Sequence, residues 1–144
     1  MNKPLYPYPL LEYKTNNETE YDNETSILTR DTLNNKYIFV ISVDEPEQIL
    51  IHPFSKNYSH KNMVKNGDVV CAGEINICKD KVTIINECEQ YLPEYTSLHY
   101  TEQLLLKMGY TTIEKFYVMH YIYHLNDLKK KYVSPELWDK YGIY

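Results

Sequence analysis

An α+β fold, with a small antiparallel sheet covered by C-terminal helices, is what this sequence predicts, and three observations carry the prediction. Runs of β-branched and aromatic residues crowd between residues 36 and 86. Apolar residues at helical spacing begin only near residue 96. Strands first and helices afterwards is the order of segregated layers, not of alternating βαβ units, and 144 residues suffice for one core but not for two.

The chain opens on Pro4-Leu5-Tyr6-Pro7-Tyr8-Pro9-Leu10-Leu11, where proline alternates with large apolar side chains, and Glu12, Glu18, Glu20, Asp22, Glu24 and Asp31 follow among Asn and Thr. The first stretch favours polyproline II, and the second has too little apolar surface to offset its ordering entropy. Residues 1–35 are therefore predicted to be an extended or disordered tail, either frayed or lying along its own domain or a partner. Tyr6 and Tyr8 are its candidate binding residues, because neighbouring prolines leave them little entropy to lose.

Residues 36–144 are predicted to form a single α+β domain, a core over 36–109 and a helical extension over 110–144. Lys36-Tyr37-Ile38-Phe39-Val40-Ile41-Ser42 suits a buried strand, Asp44-Glu45-Pro46-Glu47 turns the chain, and Gln48-Ile49-Leu50-Ile51-His52 returns, giving a hairpin over 36–52. Asn66-Gly67-Asp68 is a second turn. Val69 to Ile77 then reads as a long strand in which Gly73 marks a bulge or a close backbone approach. Lys79-Asp80-Lys81 connects it tightly to Val82–Asn86, a hairpin over 69–86.

Leu98, Glu102, Leu105 and Met108 share one helical face, Thr96 or Ser97 can cap its start, and Gly109 stands where a left-handed C′ residue belongs. Thr111-x-x-Glu114 reads as a capping box that opens a helix to about Tyr132. Lys129, Lys130 and Lys131 close it against the negative dipole end, and Ser134-Pro135-Glu136 begins a short turn with Leu137 and Trp138 before Gly142. This long helix carries two apolar stripes. One, through Val118, Tyr121, Ile122, Leu125, Leu128 and Tyr132, can cover the sheet; the other, through Ile113, Phe116, Tyr117, His120, Tyr123 and His124, either receives the tail and the Trp138 turn or docks a partner. Tyr117, His120, Tyr123 and His124, with Lys129, Lys130 and Lys131, are the candidate binding residues here. His120 and His124 stand at i and i+4, but Tyr121 occupies the place of the metalloprotease Glu and nothing nearby completes a tetrahedral set, so no metal is expected.

Acidic residues number 20 against 15 basic ones, and Arg30 is the only arginine. No surface of guanidinium forks can grip phosphates, so DNA binding is not expected. Sixteen Tyr but four Gly and one Ala, Ala72, point to an AT-biased genome. Those glycines are too scattered for a phosphate loop, and no cofactor is expected. Cys71, Cys78 and Cys88 match neither a disulfide framework nor a zinc spacing, and no segment has the apolar length of a signal peptide or a membrane span, so a cytoplasmic protein with reduced thiols is expected.

One constellation is patterned: His60, Gly67, Ala72-Gly73-Glu74, Asn86, Tyr91 and Pro93. With the strand Lys36–Ser42 before it, this resembles the core domain of plant IQ-motif-containing proteins, related to fungal proteins and to domains of bacterial polymorphic toxin systems, over about residues 36–109. Members show a His followed by two serines, a Gly, an Ala-Gly-Glu strand, and Asn-x-Ser-Gly-His-Tyr-x-Pro before a helix. This chain has Lys61 and Asn62 in place of the serines and Cys88-Glu89-Gln90 in place of Ser-Gly-His. The resemblance thus implies a degenerate site, with His60 and Glu74 as a remaining acid/base pair and Tyr91 as a hydrogen-bond donor, or the same residues in a structural role. Calmodulin binding is not carried over, since an IQ motif needs its own arginines. Cys71-Ala72-Gly73-Glu74 lacks the Pro-Cys-x-x-Cys of zinc deaminases.

Two functions are expected from this reading. The first is a non-catalytic interaction protein bound to a protein partner or ribonucleoprotein particle, in concrete form a ribosome-associated dormancy factor of a reduced eukaryote such as microsporidia possess. The other is a small-molecule enzyme of the toxin-related family using His60 and Glu74.

Overall fold

β-branched residues on both faces of a strand demand cover on both sides, and residues 36–52 form the predicted hairpin at the centre of such a sheet. The computed structural model describes residues 7–10, 24–55, 59–65, 67–88 and 90–118. Strand β1 spans Ser26–Ile27, β2 Asn35–Ser42 and β3 Leu50–Pro53. β2 and β3 are antiparallel, with Phe39 opposite Ile51 and Val40 opposite Leu50. On its other side β2 pairs antiparallel with β4 (Val69–Cys78), Phe39 meeting Gly73, and the register shifts between Ile41 and Ser42. β4 turns through Lys79, held at a φ of 59°, and Asp80 into β5 (Lys81–Ile85), the second predicted hairpin.

The sheet has six strands in the order β1-β3-β2-β4-β5-β6. Residues 24–35, read from the sequence as tail, supply β1 and the buried Leu28, whose N–H donates to the Ile49 carbonyl at 2.8 Å. At the far edge β6, Thr112–Phe116, runs parallel to β5 with Ile113 beside Val82. This corrects two expectations: the sheet is mixed rather than antiparallel, and the Thr111-x-x-Glu114 box does not open a helix. Tertiary pairing overrides the local signal, because the β5 edge offers this segment a ladder and the core a place for Ile113. The predicted continuation to Tyr132 and the Ser134–Gly142 turn lie outside the described residues.

Helix α1 (His60–Met63) is one turn that the sequence did not announce, and α2 (Leu98–Lys107) is the predicted helix. Neither Thr96 nor Ser97 caps α2 through its side chain; the Ser97 hydroxyl donates instead to the Glu94 carbonyl at 2.6 Å. Gly109 ends the helix as expected, at a φ of +99°. One sheet face, with Phe39, Ile41, Ile75, Ile77, Val82 and Ile84, packs under Leu98, Leu104 and Leu105 of α2. The other, with Ile38, Val40, Val69 and Ala72, packs against Met63 of α1 and against Tyr8, Cys88 and Tyr91. The α+β class therefore holds, whereas cover by C-terminal helices holds only for α2. The lone arginine is a structural pin: Arg30 bonds Asp80 in the β4–β5 turn and lies 4.3 Å over the Tyr110 ring.

Candidate functional site

Gly73 decides how the patterned residues meet. A Cβ there would fall 1.8 Å from the Ile85 carbonyl oxygen, so only glycine lets β4 and β5 approach this closely. The predicted close approach is thus the observed one, while the bulge sits elsewhere, at Ile41/Ser42. The Gly73 carbonyl accepts a bond from His60 Nε2–H at 2.8 Å, and His60 Nδ1 lies 3.4 Å from Gln90 Oε1. In the neutral ring the proton sits on Nε2, facing the Gly73 carbonyl. Burial pushes the His60 pKa below the ordinary histidine value, outweighing the bonds to Gly73 and Gln90 and the nearby Glu74 carboxylate, so the ring is held neutral.

Glu74 is not the hydrogen-bond partner of His60. It stands on the second sheet face between Ile38 and Ile85, and its carboxylate pairs with Lys36 Nζ at 3.1 Å. Tyr91 is fully buried and its hydroxyl donates to the Gly67 carbonyl at 2.9 Å. Burial, with the Cys88 and Asp68 charges behind it, raises its pKa well above that of a free phenol. The structure therefore buries His60 and Tyr91, sets half-buried Gln90 against His60, and leaves half-buried Glu74 paired with Lys36. Cys71, beneath α2 on the opposite face, is a buried thiol whose pKa is pushed up to about 11.

Of the candidate binding residues, Tyr8 is buried: its N–H donates to the Val69 carbonyl at 2.7 Å and its carbonyl accepts from Val69 at 3.0 Å, so this stretch lies along its own domain. Tyr117 is half exposed. Tyr6, His120, Tyr123, His124, Lys129, Lys130 and Lys131 lie outside the described residues. Among the described residues no group of His, Cys, Asp and Glu could hold a metal ion, and no helix is long and apolar enough to cross a membrane. An open depression of about 350 Å³ near the sheet end is lined by Ser42, Asp44, Glu45, Gln48, Leu50 and the end of α1; His60, Glu74 and Tyr91 do not line it.

A junction that the sequence reading did not assign as a site forms around Asn86. Its side-chain NH2 donates to the carbonyls of Pro93 at 2.9 Å and Val118 at 2.8 Å, and its Oδ1 accepts the Val118 N–H at 2.7 Å. A primary amide has the donor and acceptor of a peptide unit, so fully buried Asn86 acts as a one-residue strand partner for Val118. It joins the chain after β5, the segment before α2 and the chain leaving β6. Tyr95 and Tyr117 meet edge to face beside it, with ring centroids 5.2 Å apart. Asn86 was legible only as part of the motif pattern, because its partner Val118 is 32 residues away.

Compared with known protein families, with curated proteins and with solved structures, the chain returns no match.

Proposed function

We propose that the chain is a non-catalytic interaction protein that binds a larger protein or ribonucleoprotein assembly. One observation carries this reading: the polar groups that would perform chemistry are each held by a structural partner. His60 is closed in and kept neutral, Tyr91 is spent on the Gly67 carbonyl, and Glu74 faces Lys36. General acid/base work needs a group poised near the working pH and open to substrate, and this arrangement favours neither. Gln90, which occupies the place of the second histidine in the resembled family, has a side-chain amide that does not titrate near neutral pH and so cannot act as a general acid or base. Exposed aromatic rings at the β6 end supply contact area of the kind partner surfaces use.

The family resemblance, a cytoplasmic setting and the concrete form of the assembly, a ribosome in a dormant cell, are parts of this proposal. Sucrose-gradient sedimentation of native lysate tests it. The chain is expected to travel with a heavy particle, in the ribosomal fractions for the concrete form, and a His60→Gln variant is expected to travel equally far. Recovery of the chain solely as a light, free pool would refute the interaction reading.

A further inference from the structure

The Asn86 junction gathers side chains that are distant in sequence. Glu87 follows Asn86, Glu94 and Tyr95 follow Pro93, and Phe116 and Tyr117 precede Val118; Pro93 and Val118 are both bonded to the Asn86 amide. The rings of Tyr95, Phe116 and Tyr117 are 39%, 52% and 53% exposed. Two carboxylates and three exposed rings thus stand within two residues of the three segments that the Asn86 amide joins, and the Tyr95 and Tyr117 rings touch.

Among the described residues the local charge is one-sided. Lys115, next to Phe116, already faces a carboxylate, bonding Glu102 at 3.0 Å, while Lys81 stands at the opposite end of β5, beside Thr112, and bonds Glu114 at 2.7 Å. Glu87 is exposed, and Glu94 has as its partner the neutral Thr96 hydroxyl at 3.4 Å. Partial burial raises the Glu94 pKa, a cost that a cation seated beside it would relieve. Aromatic faces attract cations through their quadrupole, most strongly where water is displaced.

We propose that the Tyr95–Tyr117–Phe116 patch, with Glu87 and Glu94, docks a lysine- and arginine-bearing segment of a partner protein. The inference rests on the interaction reading above and names the chemistry of its partner. Charge complementarity selects this occupant: an anionic RNA backbone would meet carboxylates here, whereas a basic peptide meets carboxylates and ring faces together.

The test uses the full chain and a fluorescein-labelled peptide of glycine alternating with arginine and lysine, with its glutamate counterpart as control. Anisotropy at low salt should report binding of the basic peptide alone. Tyr95→Ser and Tyr117→Ser should each weaken it roughly two- to fivefold, as for a cation on a solvent-exposed ring, and Glu94→Gln should weaken it and reduce its salt dependence. Phe54→Ser, which removes an exposed ring at Lys36, should leave binding unchanged. No binding, equal binding of the acidic peptide, or equal losses from Phe54→Ser and Tyr117→Ser would overturn the proposal. Each tyrosine substitution also removes one edge-to-face contact, so melting temperatures should fall by only a few degrees, and peptide titrations are made well below the transition. A chain that still sediments with its assembly yet ignores the basic peptide would defeat this patch and leave the interaction reading standing; peptide binding through the patch by a chain that sediments alone would do the reverse.

Discussion

Gly73→Ala is the change that most directly probes how β4 and β5 are joined. The added Cβ would sit 1.8 Å from the Ile85 carbonyl oxygen, 2.9 Å from its carbon and 3.1 Å from Asn86 Cα, all backbone atoms. Restoring 3.0 Å to the oxygen requires the strands to part by about 1.2 Å, which stretches an N–H···O bond of ordinary length past 3.5 Å. Two ladder bonds at ~1 kcal/mol each and an overpacking strain of ~1–3 kcal/mol sum to a loss of ~3–5 kcal/mol. The bond from His60 to the Gly73 carbonyl shares the same displacement. Urea denaturation followed by circular dichroism measures the loss, and Gly67→Ala is the control, because its Cβ would meet one backbone oxygen at 3.1 Å without a left-handed φ. A Gly73→Ala protein within ~1 kcal/mol of the wild type, below even the overpacking range, would refute the close-approach argument.

Other substitutions probe the remaining contacts. Asn86→Ala removes three buried hydrogen bonds and should cost ~2–4 kcal/mol, with faster hydrogen exchange at the Val118 amide as its local signature. Tyr91→Phe deletes the bond to the Gly67 carbonyl and should cost ~1 kcal/mol in the same denaturation assay. Because burial lowers the His60 pKa, the unfolded chain binds the extra proton. Its contribution is therefore complete above an unfolded value of about 6.5 and is lost as pH falls from there towards the folded value. Stability measured through this range should decline less steeply in His60→Gln, and parallel curves would contradict a buried neutral ring. Cys78 is exposed while Cys71 and Cys88 are buried, so a thiol reagent at neutral pH should modify one described cysteine in the native protein and all three after unfolding.

Much of the sheet was legible because its signals are local. Tyr37–Ile41 and Val69–Ala72 are apolar on both faces, and both hairpin turns use turn-forming residues, so the β2–β3 and β4–β5 hairpins could be read directly, though not the β2–β4 pairing that joins them. Gly109 likewise announced the end of α2 through its own backbone freedom. β6 was misread because a capping box is a four-residue local signal, whereas Thr112-Ile113-Glu114-Lys115-Phe116 has no polar/apolar alternation of its own and becomes a strand only once β5 presents an edge. β1, two residues long, has no pattern to read.

The candidate site divides the same way. His60, Glu74 and Tyr91 stood out by residue type and order, and His60 and Tyr91 do reach one interior. What they do there was not legible, since a histidine and a glutamate look identical in sequence whether they face each other or face Gly73 and Lys36. The Asn86 junction, with its rings and carboxylates, unites segments separated by up to 32 residues.

By itself the sequence determined the α+β class, two hairpins, one helix and the excess of acidic charge, because each follows from the preferences of neighbouring residues. Tertiary structure alone decided that the sheet closes with a parallel edge strand, that the polar motif is turned inward, and that an aromatic and acidic patch forms at the end of β6. Those outcomes depend on which distant backbone groups find each other, and pairing across the fold is a global minimum that no local run of residues encodes.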